Sequence, residues 1–217
     1  MAGLINLVHV RRALALRDFD SRRARQVMSP VPRGWRKRES APAQAAVMVL
    51  LYHDNQERLH VVLTLRQAGL RGHSGQVSFP GGRQDAQDRS LTDTAIRETG
   101  EEIGICRERI RVLGGMPGLY IPTSHHDVYP SVGYCETLPR FRPNPQEVAE
   151  IFSFALDDLL HPRFKREERR MIGGYDVWVP YYDVCGHKVW GATAIMLSEL
   201  AERLRQVLPE RVLLELR

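Results

Sequence analysis

The chain is poor in cysteine, poor in aromatic residues and free of any long apolar run. Its three cysteines, Cys106, Cys135 and Cys185, are odd in number, far apart and never arranged as C-x-x-C. That spacing argues against a disulfide framework or a thiolate zinc site, and suits a reducing, cytoplasmic setting. No stretch approaches the roughly 20 apolar residues that a membrane-spanning helix needs, so no membrane partner is expected. Met1 to Phe19 has neither an unbroken apolar core nor a small-residue cleavage site, so no secretory leader is expected. Aromatics are 7% of the chain, and no run of them accompanies the basic residues as a base-stacking surface would.

The charge is unevenly placed. Residues 1–40 hold ten Arg or Lys against three Asp or Glu, an excess of +7 that leaves the rest of this +5 chain at −2. A basic arm can meet nucleic acid. Here, however, Leu4, Leu7, Val8, Val10, Leu14 and Leu16 read as the apolar side of a short helix docked on the body, with Arg and Lys facing solvent. Nucleic acid is therefore not an expected partner. Ser29 to Pro42 carries three prolines and reads as a linker. The division is a basic N-terminal helix and linker over 1–40, a main domain over 41–207 and a tail over 208–217.

Within the main domain, Ala45 to Tyr52 and Leu59 to Leu65 are apolar, β-branched runs joined by the turn-like Asp54-Asn55-Gln56, and read as a hairpin. Gly69 to Gly82 reads as a loop leading to a short strand at Val77–Phe79. Val112–Leu113, Val128–Tyr134 and Val148–Phe154 read as further strands, with a loop from Gly115 to Asp127 and a helical turn at Leu156–Leu160. Val177–Tyr182 alternates and pairs with Lys188–Trp190 across Gly186, and Ala192–Val207 has helical periodicity. Mixed strands with helices at intervals predict an α/β fold layered α/β/α.

The chemistry concentrates in Arg97-Glu98-Thr99-Gly100-Glu101-Glu102-Ile103-Gly104-Ile105, behind Phe79-Pro80-Gly81-Gly82. Thr92 or Asp93 is the expected N-cap of this helix and Gly104 its stop. Glu98, Glu101 and Glu102 fall at i, i+3 and i+4 and project from one face. Three like charges so close call for a counterion, and Mg²⁺ or Mn²⁺ takes such oxygens together with substrate phosphates. Arg97, four residues before Glu101, is placed to hold a carboxylate in position. His125 and His126 are adjacent and point apart in an extended strand, so they do not ligate jointly.

This segment resembles the Nudix box, G-x5-E-x7-R-E-U-x-E-E-x-G-U with U aliphatic. The second half matches through Arg97, Glu98, Glu101, Glu102, Gly104 and Ile105. In the first half Gly82 and Asp88 each come one residue early, and Thr99 replaces an aliphatic residue. The lengthened box, with Asp85 and Asp88 near its start, resembles the coenzyme A pyrophosphatase branch of that family. So does the upstream run from Leu63-Thr64-Leu65-Arg66 through Leu70-Arg71-Gly72-His73-Ser74-Gly75-Gln76 to Gly82. Val132-Gly133-Tyr134, Glu147 to Phe152 and Val189 to Ala194 extend the likeness over roughly residues 42 to 205.

The resemblance implies a Nudix-type sandwich with a mixed sheet, and a metal-dependent hydrolase that splits coenzyme A or an acyl derivative at its pyrophosphate. Glu98 and Glu102 are the main metal ligands expected, with Glu101 as a further ligand or as base. Glu147 and Glu150 are remote carboxylates for a base or another ligand. Arg66, Arg71 and His73 are expected at substrate phosphates, with Gly81 and Gly82 letting the backbone turn closely at the site. Nudix proteins are often dimers, so a homodimer stays open. So do another nucleoside diphosphate derivative as substrate and, in a different class, a catalytically silent nucleotide-binding module.

Overall fold

Eleven consecutive residues, Ala43–His53, form a strand (β1) whose alternate side chains enter two different cores. Ala45, Val49 and Leu51 point into one, and Ala46, Met48, Leu50 and Tyr52 into the other. A strand covered on both faces has no polar side to show, which is why this run reads as continuously apolar. Each fully buried Val or Leu here contributes about 1.5–3 kcal/mol.

A computed structural model describes residues 3–30, 40–69 and 75–216. Ahead of β1 stand helices α1 (Leu7–Leu14) and α2 (Ser21–Gln26). After it come β2 (Leu59–Arg66), β3 (Val77–Ser78), β4 (Gly81–Arg83), helix α3 (Leu91–Ile103), β5 (Ile110–Gly115), β6 (Leu119–Ile121) and β7 (His126–Cys135). Then follow β8 (Val148–Ala155), a 3₁₀ turn at Leu156–Leu160, β9 (Lys165–Ile172), β10 (Tyr175–Val184), β11 (His187–Trp190), α4 (Gly191–Val207) and α5 (Glu210–Glu215). The main sheet runs β3-β2-β1-β7-β5, with β4 beside β1, β6 beside β7 and β8 beside β2. β1 and β7 are parallel and the other pairs antiparallel, so the sheet is mixed. Helix α3 covers one face through Ala95, Ile96 and Ile103. Helices α1 and α4 cover the other through Val10, Ala13, Leu197, Leu200 and Leu204, which completes the expected α/β/α sandwich. A second sheet, β11-β10-β9, adds Tyr182, Val184 and Val189 to that larger core. Among the described residues no helix is long and apolar enough to cross a membrane.

The β1–β2 hairpin, the helical turn at Leu156–Leu160, the β10–β11 pairing and the Gly104 stop lie where expected. Gly104 ends α3 with φ 73°, the left-handed conformation that glycine adopts without steric penalty. Five readings need correction. Ser90, not Thr92 or Asp93, caps α3, its hydroxyl accepting the Asp93 N–H at 3.1 Å. Gly81 and Gly82 form a strand against β1 rather than a turn, and β6 interrupts the expected loop from 115 to 127. The N-terminal arm holds two helices, with Val8 exposed, Ile5 buried and Arg25 tied to Glu199 instead of facing solvent. The tail forms a separate helix after Pro209, its Val212 and Leu216 in the larger core. Residues 31–39 of the expected linker lie outside the described residues.

Candidate active site

Helix α3 places Glu98, Glu101 and Glu102 on the side facing β4, but not in equal settings. The side chains of Glu102, Glu98 and Glu101 are 2%, 14% and 54% exposed. Helix and strand approach so closely that a Cβ on Gly82 would stand 2.4 Å from the Glu98 carboxylate, and one on Gly81 2.4 Å from the Ala46 carbonyl. Backbone contact thus requires glycine at position 81, whereas a side chain at position 82 would displace the Glu98 carboxylate. Thr99 is accommodated at a buried position because its hydroxyl donates to the Ala95 carbonyl one turn back, at 2.6 Å.

Arg97 organises the acids. Its Nε and Nη2 fork onto the two oxygens of Asp88 at 3.0 Å each. Nη1 donates to Glu98 Oε1 and Glu101 Oε2, both at 2.9 Å, and Nη2 also reaches the Arg83 carbonyl at 3.0 Å. The fork holds the Asp88 carboxyl far below the usual carboxylate range. Asp88 as the arginine's principal anchor is the residue that sequence reasoning undervalued. The signal was its place one residue ahead of the expected first glutamate of the box.

Glu102 is the opposite case. Among the described residues its hydrogen-bond donors are the Gly81 N–H at 3.4 Å and Arg66 Nη1 at 3.5 Å, both at the long limit of hydrogen bonding. Burial pushes its pKa up to about 8, with Arg66 opposing and the charges of Glu98 and Glu147 adding to the rise. Burial also raises Glu98, against the pull of Arg97. A buried, weakly paired carboxylate beside two others is a donor set suited to a hard divalent cation. Among the described residues no three acidic, His or Cys donors stand close enough to hold an ion as they are. The donor chemistry fits a cation, and closure around one requires side-chain rotation.

Glu147 comes to the pair from the far side. The loop before β8 clamps the end of α3, with Arg142 N–H on the Ile103 carbonyl and Asn144 N–H on that of Glu102, both at 2.9 Å. The Gln67 N–H then fixes the Glu147 carbonyl at 2.8 Å. Glu150 is not part of this group; it is exposed and pairs with His187 at 3.3 Å. Arg71 and His73 lie outside the described residues. His125 and His126 diverge as expected: His125 meets Ser40 and Tyr120, while His126 Nε2 accepts from Arg83 Nε at 2.9 Å.

An α/β/α sandwich with a carboxylate helix packed on a glycine strand is the arrangement that the resemblance to a Nudix hydrolase implies. Residues 42–173 match the NUDIX domain, and the chain belongs to the Nudix family of pyrophosphate hydrolases, whose members generally use divalent metal ions. It is 38% identical over 192 residues to the Nudix hydrolase NudL of Pectobacterium atrosepticum, covering 87% of this chain and 94% of that one. That relative is itself described as uncharacterized. The mitochondrial Nudix hydrolase 15 of Arabidopsis thaliana is 33% identical over 166 residues, 74% of this chain and 58% of the plant protein. The MutT protein of Methanosarcina mazei Go1 shares the fold, with a TM-score of 0.52 at 16% identity over 78% of this chain and 99% of that one.

Proposed function

We propose that this Nudix hydrolase splits coenzyme A or an acyl derivative at its pyrophosphate. The products are 4′-phosphopantetheine, or its acyl form, and adenosine 3′,5′-bisphosphate. The observation that carries this reading is how the segment resembling the coenzyme A branch is built into the site. Arg66 and the Gly81 amide meet the same buried carboxylate, Glu102, and Asp88 of the lengthened box takes the Arg97 fork.

Hydrolysis requires a hydroxide equivalent to approach a phosphorus already ringed by negative oxygens. A divalent cation, Mg²⁺ or Mn²⁺, offsets that charge and lowers the pKa of bound water. Glu98 and Glu102 would hold it, stacked one turn apart, with Glu101 turning in from its exposed position. Arg97 fixes the approach of Glu98 and Glu101 and touches no substrate. We assign the proton of the attacking water to Glu147, a reading supported by its charge acting on both Glu98 and Glu102. With Glu102 holding a cation, the Arg66 guanidinium would be free to meet a substrate phosphate, for which its planar fork is suited. Arg71 and His73 are assigned to the same phosphates on the resemblance alone.

The test is chromatography of products from coenzyme A with Mg²⁺ or Mn²⁺, beside Glu98→Gln and a panel of dinucleotides, nucleotide sugars and nucleoside triphosphates. Metal-dependent release of adenosine 3′,5′-bisphosphate, reduced about 10²–10³-fold in kcat by Glu98→Gln, is the expected result. Cleavage of another compound with coenzyme A left intact would move the substrate assignment. No turnover of any compound would favour a silent binding module.

A further inference from the structure

The small sheet carries a charged face that plays no part in the site just described. By strand register, Arg166, Tyr181 and Trp190 are neighbours across β9, β10 and β11, and Glu168, Arg170 and Lys188 lie on the same side. Glu168 bridges the two cations: Oε1 accepts from Arg170 Nε and Oε2 from Lys188 Nζ, each at 2.5 Å. The Arg170 guanidinium lies 4.5 Å from the centre of the Trp190 ring. One carboxylate thus holds two cationic heads in place and leaves them with a surplus positive charge.

These heads border a cleft of about 380 Å³, lined by Leu65, Gln76, Val77, Arg170, Lys188 and Trp190, with His187 and two glycines. No carboxylate is among its described lining residues; Glu168 is bonded to the two cations and Glu150 to the lining His187 at 3.3 Å. The cleft adjoins the box across one strand end. Leu65 lines it, the next residue, Arg66, reaches Glu102, and the Arg66 N–H bonds the Gln76 carbonyl at 3.0 Å.

We infer that this cleft between β3 and β11 is a binding subsite for a phosphate monoester. Two pre-positioned cations, one a guanidinium stacked on an aromatic ring, suit a terminal phosphate of nearly two charges better than an internal diphosphate, which carries one charge per phosphorus. On the coenzyme A reading proposed above, its occupant is the 3′-phosphate of the nucleotide, held while the pyrophosphate lies at Glu98 and Glu102. The identity of the occupant rests on that reading; the cleft's preference for a phosphate monoester does not.

The experiment compares the wild type with Lys188→Gln and with Arg170→Gln/Lys188→Gln, on coenzyme A and on dephospho-coenzyme A, which lacks the 3′-phosphate. Calorimetric binding of adenosine 3′,5′-bisphosphate and of adenosine 5′-monophosphate is measured alongside. The wild type should favour coenzyme A in kcat/KM by at least about tenfold, through KM. The double variant should bring the ratio near one while leaving dephospho-coenzyme A kinetics intact, and the single variant should fall between. An unchanged ratio, or equal loss on both substrates, overturns the subsite. If neither compound is cleaved, the coenzyme A reading falls, and calorimetry decides the cleft. Binding of either nucleotide weakened about tenfold in the double variant upholds it, and equal binding by all three proteins overturns it.

Discussion

Two arginine–carboxylate networks in this molecule are built from the same parts in inverse proportion. On α3, one arginine, Arg97, serves three acids, Asp88, Glu98 and Glu101, with Glu102 beside them barely paired. Behind the other face of the sheet, one acid, Glu199, is fully buried and serves two arginines, Arg25 and Arg203. There each guanidinium nitrogen has an acceptor. Arg25 reaches the carbonyls of Pro117 and Gly118, Arg203 reaches those of Ala13 and Leu16, and Ser21 donates its hydroxyl to Glu199 at 2.8 Å. The second network ties α1, α2 and the 117–118 loop to α4 and wants nothing more. The first has more negative charge than its own cation can serve. Stoichiometry, more than burial, separates a staple from a site.

The largest effect should fall on the staple. Glu199→Gln leaves two nearly buried guanidinium groups without their counter-charge and should cost about 3–5 kcal/mol of stability. Glu102→Gln, in the metal-free protein, should be neutral or slightly stabilising, because burial already drives the Glu102 carboxyl toward its neutral form, which the amide mimics. Denaturant melts of the two variants in chelator measure the contrast directly. Equal losses in both would mean that Glu102 is a structural pair to Arg66 and that the proportion argument fails.

The two networks were also unequally legible in the sequence. The site is local: four glutamate and arginine positions within six residues, on a helix whose stop, Gly104, is written beside them. The staple joins Arg25 to Glu199 across 174 residues, and no periodicity reports a contact of that range. The fold divides along the same line. The two-faced strand β1 and the helix α4 follow from their apolar patterns. Strand β9, Lys-Arg-Glu-Glu-Arg-Arg-Met-Ile, has no alternation to read and is a strand only because β10 pairs with it. β4 was hidden for a different reason: Gly81 and Gly82 look like a turn, but Gly81 lies against the β1 backbone and Gly82 against the Glu98 carboxylate. Ser90 was passed over as cap because Thr92 and Asp93 offer the same chemistry two and three residues later, and only the extended backbone at Ser90 decides among them.

A middle-sized effect tests whether Arg97 acts through its fork. Asp88→Asn keeps the shape and one acceptor but removes the charge that both Nε and Nη2 engage. Turnover should fall about 10–100-fold, as for other residues that orient metal-binding groups, with KM little changed. Arg97→Lys should be at least as damaging, since a point charge cannot grip both Asp88 oxygens and reach Glu98 and Glu101 together. Steady-state kinetics on whichever compound the wild type cleaves provide the check. A loss confined to KM would place Arg97 at the substrate instead.

The smallest effect comes from a third arginine–carboxylate group that lies between the two extremes. In the β1–β2 turn, Asp54 has one guanidinium partner, Arg58, and is also bonded by the backbone N–H groups of Gln56 and Arg58 and by His60. Burial alone would raise its pKa, but these donors outweigh it and hold the carboxyl at about 2, against an ordinary 3.8. A carboxyl depressed by folding binds its proton more readily in the unfolded chain. Its contribution is therefore complete above about pH 4 and drains away as the pH falls toward 2. Asp54→Asn should thus be about 1–2 kcal/mol less stable than the wild type at pH 7, with the gap closing between pH 4 and 2. Melts across that range read the gap, and a difference that stays constant down to pH 2 would show that the turn is held by shape and not by charge. Because Asp54 has neither a surplus nor a deficit of partners, the same substitution should leave turnover unchanged, which separates a balanced pair from the acid-rich group on α3.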